Sequence, residues 1–381
     1  MKKIIPISLL SFLLLSCSGV KDYSLEDYQT IFEYKDGYEV MVLSDIHFSI
    51  ASNTYKQFEY LKKVIYSKAA IANPTMDIVK ELENPIHRDM ILSYAPDVIM
   101  LNGDTFMTAD RNIVREALKF FDSLDIPFGF LHGNHDLQGT YGSKFIDEEL
   151  KKCENSIYKN PVNDKVTGDS NYVINLTQGN DVKWQIFGLD CNTYYNANYD
   201  NIKQNQVDWY EKQVLATENS QGEYSPSLIV THIPIKEFED AWIELTDGKM
   251  SVSSAEVEKD VGDSYWYLGE GVHYSPLGDN LFETIQELGG PTKGIISAHD
   301  HINISDFHYK GEYQNDVRLI FGVKTGDGIY NDDNFIGGSI YTLNSDGTFD
   351  SKHIFVPYGQ TNEGNGVFVM TQEYIEKGGK I

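Results

Sequence analysis

Cysteine is scarce here, with three in 381 residues, and so few thiols argue against a thiolate-bound structural zinc site. Cationic side chains are also short: 31 Lys and Arg face 57 Asp and Glu, a formal net charge of −26. A chain this acidic repels a phosphate backbone at long range, so nucleic acid is not an expected partner. An anionic phosphate ester can still bind where divalent ions reverse the local field. Beyond the first residues there is no apolar run long enough to cross a bilayer, no internal repeat and no low-complexity tract. What remains, 41% hydrophobic and 23% charged, is the composition of an ordinary globular protein.

The N-terminus reads as a targeting segment. Lys2 and Lys3 precede the apolar stretch Ile4 to Leu15, which leads through Leu14-Leu15-Ser16 to Cys17. This resembles a bacterial lipoprotein signal, which implies cleavage before Cys17 and lipidation of its thiol. The expected consequence is a membrane partner reached through a lipid anchor, in the cell envelope, on the periplasmic side or outer surface. Asp22, Glu26 and Asp27 are compatible with export to an outer surface. An ordinary secretory signal with an incidental Cys17 is the alternative. Cys153 and Cys191 then remain, either as one bridge or as two free buried thiols. Residues 1–17 are thus the signal and lipidation site, 18–37 a polar tether, and 38–381 a single domain.

Within that domain, strand-like and helix-like patterns alternate, which argues an α/β fold. Tyr55 to Tyr94 has helical spacing interrupted by Pro74 and Pro85, so more than one helix is expected. Asn112 to Leu124 reads as a helix with Asn112 as its cap. Gln204 to Ala216 and Asp279 to Leu288 are further helices, and Gly289-Gly290-Pro291 ends the second of these. Tyr172–Leu176 and Trp184–Leu189 form a hairpin about Gly179-Asn180-Asp181, and Arg318–Val323 and Ser339–Leu343 add late strands. Asp247 to Pro276 reads as a long loop near the site, its Trp266, Tyr267 and Tyr274 serving as anchors or as stacking surfaces for a leaving group.

The chemistry sits where apolar runs end. Asp45-Ile46-His47 follows Val40–Leu43, Gly103-Asp104 follows Val98–Leu101, and Gly133-Asn134-His135-Asp136 follows Phe128–Leu131. Thr231-His232 follows Leu228–Val230, and Ala298-His299-Asp300-His301 follows Gly294–Ile296. Any one of these histidines alone is better read as structural. Together they supply carboxylate oxygen, amide oxygen and imidazole nitrogen from several rigid elements, as a two-metal hydrolase requires. The donor set suits Mn, Fe, Zn, Co or Mg. Gly103 and Gly133 allow a close backbone approach beside the ligands. His132 reads as a packed residue, His273 as a candidate substrate contact, and Asp300 as a support for a ligand or a solvated charge.

This ordered set resembles the calcineurin-like metallophosphoesterase superfamily over about Tyr38 to Leu343. Thr231-His232-Ile233-Pro234-Ile235, Gly269-Glu270-Gly271-Val272 and Ala298-His299-Asp300-His301-Ile302-Asn303 resemble its purple-acid-phosphatase-29/Dcr-type branch. The resemblance implies a metallophosphoesterase-like β-sandwich of two mixed sheets flanked by helices, a four-layer αββα arrangement. It implies two divalent metal ions, the first on Asp45, His47 and His301, the second on Asn134, His232 and His299, with Asp104 bridging. A bridging hydroxide is the implied nucleophile. His135 is the implied general acid or phosphate contact, with Asp136 orienting its ring. The implied substrate is a phosphate monoester; a diester, or a catalytically silent surface protein, is the alternative. Ala298 replaces the usual Gly before the first His of the last motif, which is tolerable unless positive φ is needed there. True purple acid phosphatases place a Tyr ligand three residues after the bridging Asp; Met107 stands there, so no tyrosinate-to-iron colour is expected.

Overall fold

The computed structural model describes residues 23–49, 54–108, 110–138, 142–161, 165–250, 262–332, 335–356 and 368–369. Cys17 and the expected N-terminal signal lie outside the described residues. Two β-sheets, an 8-stranded and a 6-stranded one, face each other, and both mix parallel with antiparallel pairing. In the smaller sheet Tyr38–Leu43 pairs in parallel with Val98–Asn102, which pairs in parallel with Phe128–Leu131. In the larger sheet Ser227–Thr231 lies between the parallel strands Asp181–Leu189 and Thr292–Ser297.

Side-chain alternation explains the layers. Leu228 and Val230 pack toward the smaller sheet, in a core that also holds Val40, Val42 and Ile174. Ile229 points the other way, into a second core with Val173, Phe187 and Ile295. That second core is closed by Val207, Trp209, Tyr210 and Val214 of helix Gln204–Leu215, Phe238 of Glu237–Thr246 and Ile285 of Leu281–Glu287. On the far side of the smaller sheet lie helices Thr54–Ile65 and Arg111–Asp122, whose Leu61, Val64, Val114 and Leu118 are buried. The result is the helix–sheet–sheet–helix sandwich expected from the sequence.

The structure corrects several local expectations. Residues 18–37 are not all tether: Leu25–Tyr28 is a 3₁₀ turn, and Gln29–Glu33 is an edge strand paired in parallel with Tyr172–Gln178. Buried Tyr28 packs its ring on Trp209 at 5.3 Å, which anchors this strand. Helix Arg111–Asp122 is capped by Asp110, not Asn112; the Asp110 carboxylate accepts from the backbone N–H groups of Asn112 and Ile113 at 3.0 and 3.2 Å. Asp247 to Pro276 is not all loop, because Tyr265–Leu268 pairs antiparallel with Asn303–Tyr309. Trp266 is buried against Phe307 and Tyr267 packs on Phe335, so both serve the core and not a leaving group. Cys153 and Cys191 are free thiols. No helix of the described residues is long and apolar enough to cross a membrane.

Candidate metal centre

The parallel strands of the two sheets end side by side, and the motif residues occupy the turns just beyond them. These turns are tight. Asp45, His47, Asp104 and His299 all have positive φ, between 49 and 72°, a conformation that costs L-residues energy and persists only where the surroundings hold it. The strain falls on His299 and not on Ala298, which is why a Cβ is tolerated at Ala298. The neighbouring glycines are required by contact. A Cβ on Gly103 would lie 2.5 Å from the His232 ring, and one on Gly133 would lie 2.2 Å from Asp104 Oδ1.

Two groups of donors able to hold a metal result: Asp45, His47 and His301, and Asp104, His232 and His299, the ligand atoms of each lying within 4.8 Å of one another. In the first, His47 Nε2 and His301 Nε2 are 3.1 Å apart, and Asp45 Oδ1 is 3.4 Å from His301 Nε2 and 3.8 Å from His47 Nε2. In the second, His232 Nε2 is 3.4 Å from Asp104 Oδ2. The same Asp104 oxygen is 3.8 Å from His47 Nε2, so it faces both groups. Asn134 is buried, and its Nδ2 donates to the Tyr194 hydroxyl at 3.1 Å, which leaves its Oδ1 without a hydrogen bond among the described residues.

The donor set fits cations. Asp45 Oδ1, Asp104 Oδ2, Asn134 Oδ1 and His232 Nε2 are buried and have no hydrogen-bond partner among the described residues. Nδ1–H of His232 donates to the Asn102 carbonyl at 2.9 Å, and Nδ1–H of His301 to the Tyr330 carbonyl at 3.0 Å. Each bond orients its ring with Nε2 toward the donor group; burial disfavours a charged His232, but Asp104 raises it to about 10, so a cation bound there would displace the Nε2 proton. Burial, and then Lys324, lowers His47 to about 3; burial, and then His232, lowers His299 to about 3. Neutral imidazole is the ligating form. Burial opposes ionisation of Asp45 and Asp104, yet the neighbouring histidines hold both carboxyls below the usual carboxylate range.

His135 lies at the rim, half-buried. Its backbone N–H donates to Asp104 Oδ1 at 2.8 Å, its ring is 5.2 Å from that of His47, and its Nδ1 has no partner among the described residues. Asp136 does not orient that ring. Its two carboxylate oxygens accept from the backbone N–H groups of Phe106 and Gly133 at 2.7 and 2.8 Å, so it ties the two ligand-bearing loops together. Burial, with Asp104 nearby, pushes its pKa up to about 7. His132 is buried, 3.4 Å from both Asp147 Oδ1 and the Tyr158 hydroxyl, as a packed residue should be. Asp300 bonds no candidate ligand side chain; it accepts from His273 Nδ1 at 2.8 Å.

Several neighbours were not singled out by sequence. Buried Lys324 donates from Nζ to the Asp45 carbonyl at 2.7 Å, and burial lowers its pKa to about 8. Tyr330 stacks on His301 with centroids 4.4 Å apart, and Tyr199 sets its ring 4.5 Å from His299. Tyr199 belongs to a small hairpin, Tyr194–Tyr195 with Asn198–Tyr199, too short to carry a strand pattern.

The family description that matches this chain is calcineurin-like phosphoesterase, over residues 38–303. The chain is 22% identical over 327 residues to a protein of Arabidopsis thaliana called probable inactive purple acid phosphatase 14, covering 79% of this chain and 74% of that one. Among solved structures it is similar to GAP50, described as the anchor in the inner membrane complex of Plasmodium, with 13% identity, a TM-score of 0.43, and 88% and 89% of the two chains covered. It is also similar to a 5'-nucleotidase from Candida albicans, with 9% identity, a TM-score of 0.40, and 91% and 58% covered.

Proposed function

Because the chain belongs to the calcineurin-like phosphoesterase family, we propose that it hydrolyses phosphate esters, monoesters in first place, at a pair of divalent ions. The observation that carries this reading is Asp104 Oδ2, which is buried, makes no hydrogen bond among the described residues, and lies 3.4 Å from His232 Nε2 in its own donor group and 3.8 Å from His47 Nε2 in the other. Asp45, His47 and His301 would hold one ion; Asn134, His232 and His299 the other; Asp104 would contact both. The ions, when bound, would supply an activated water and neutralise charge on the phosphoryl oxygens. The oxygen and nitrogen donors suit Mn, Fe, Zn or Mg.

The chain's own residues set the rest. Asn102 and the Tyr330 carbonyl fix the two imidazoles that their hydrogen bonds reach. Lys324 neutralises part of the charge behind Asp45. His135, half-buried with its ring 5.2 Å from that of His47, would contact the phosphoryl group or return a proton to the leaving alkoxide. Every position of the donor set carries a side chain able to bind metal, which favours catalysis over a silent binding role.

The test is hydrolysis of p-nitrophenyl phosphate beside bis-p-nitrophenyl phosphate, on chelator-stripped protein reloaded with Mn²⁺, Zn²⁺ or Fe²⁺. Metal-dependent release from the monoester is expected. A preference for the diester would move the reading to a phosphodiesterase, and no turnover with any ion would end it.

We also propose that the chain is held in the cell envelope by a lipid on Cys17, a reading supported by the basic start and the apolar run before that residue. Detergent-phase partitioning of the expressed protein should be lost in Cys17→Ser. Partitioning that survives the substitution would contradict the anchor.

A further inference from the structure

Glu270 stands at the mouth of the centre. Its carboxylate accepts from the Ile302 backbone N–H at 3.2 Å and from the Tyr330 hydroxyl at 2.9 and 3.1 Å, next to the ring that stacks on His301. Among the described residues no lysine or arginine pairs with it. The nearby Asp300 differs, since its buried carboxylate takes His273 Nδ1 at 2.8 Å as a partner. Burial first, and then nearby carboxylates that include Glu270 and Asp300, raise the Tyr199 and Tyr330 hydroxyls above their ordinary value. Around the same mouth, Tyr194 and Tyr330 are each 47% exposed, and Tyr194 stacks on Tyr199 at 5.4 Å. An uncompensated carboxylate beside a site for a phosphate anion repels that substrate, unless the substrate brings a positive group of its own. Exposed tyrosine faces beside a carboxylate are a surface for an alkylammonium group, by cation–π attraction and ion pairing.

We infer that the preferred substrate is the phosphate ester of an amino alcohol, of the phosphocholine or phosphoethanolamine type. Its phosphoryl end lies at the metal centre, and its cationic end lies among Glu270, Tyr330 and the Tyr194–Tyr199 pair. This rests on the phosphoesterase reading above and names the substrate class of that same site. An alcohol carrying a carboxylate or a second phosphate is disfavoured there.

The test compares kcat/KM for phosphocholine and for 3,3-dimethylbutyl phosphate, which has the same shape with carbon in place of nitrogen, on the full metal-loaded chain. A preference of about tenfold for phosphocholine is expected, the order that cation–π contact and ion pairing can supply. Glu270→Gln keeps an acceptor for Ile302 and Tyr330 and should cut that preference severalfold. The readout is a ratio on one protein, so any general loss of activity cancels. Equal use of the two esters by the unsubstituted chain, or a preference untouched by Glu270→Gln, overturns the inference. If p-nitrophenyl phosphate is turned over while the two esters are used equally, the inference fails and the phosphoesterase reading stands. If nothing is turned over, that reading fails, and calorimetric binding of the same two compounds decides the inference by the same ratio.

Discussion

Tyr330 holds His301 in two ways at once: its carbonyl accepts the Nδ1–H at 3.0 Å, and its ring stacks on the imidazole at 4.4 Å. The residue before it, Ile329, has φ of +64°, an uncommon conformation for a β-branched side chain, so the surrounding loop imposes this placement. Tyr330→Ala keeps the carbonyl and removes the ring. Affinity for the ion at Asp45, His47 and His301 should fall about tenfold, the scale seen when support around a ligand is lost. Competition with a chelator measures it, and unchanged affinity would show that the ring does not matter.

Gly103 leaves no space for a side chain. Gly103→Ala would set a methyl 2.5 Å from the His232 ring at φ +77°. Backbone strain and overpacking together should destabilise the fold by roughly 2–4 kcal/mol, or displace His232. Denaturant unfolding with metal analysis separates these outcomes. Unchanged stability with full metal content would contradict the close approach.

His135 is at the rim and is not needed to complete either donor group. His135→Ala should keep both metals and lose most turnover. Loss of metal to the same degree as activity would remove its assignment as an acid or phosphate contact. The backbone N–H of residue 135, which donates to Asp104, survives this substitution.

Away from the centre, Glu237 and Asp279 set a pH dependence of stability. Burial, followed by the Asp279 charge, pushes Glu237 up to about 7; burial pushes Asp279 up to about 6. Asp240 adds to the rise at Glu237 and Lys236 opposes it. Both carboxyls bind a proton more tightly folded than unfolded. Their contribution is therefore complete below the ordinary carboxyl range and is lost as pH rises through about 6 to 7. Glu237→Gln should raise Tm more at about pH 8 than at about pH 4. An equal effect at both pH values would contradict the raised value.

The two candidate metal-binding groups were legible in the sequence because their residues follow apolar runs, and such runs become the parallel strands that end together. The paired helices and the Tyr172–Leu189 hairpin were legible by the same periodicity. What was hidden depends on contacts between distant segments. The edge strand Gln29–Glu33 has polar residues and an outward Ile31, so its pattern is weak; only its pairing with Tyr172–Gln178 makes it a strand. Asp136 sits beside His135 in sequence, yet backbone N–H groups from two loops take both its oxygens. Lys324 reaches Asp45 across 279 positions of chain, which spacing cannot reveal.

The central claim is that two ions share Asp104 and that hydrolysis depends on both. Mn²⁺ titrated into stripped protein, with bound metal and phosphate release from p-nitrophenyl phosphate read on the same samples, tests it most directly. The account predicts two ions per chain, activity that rises with the second, and loss of both ions in Asp104→Ala. A fully occupied pair in Asp104→Ala, or no turnover by the unsubstituted chain with both ions bound, would contradict it.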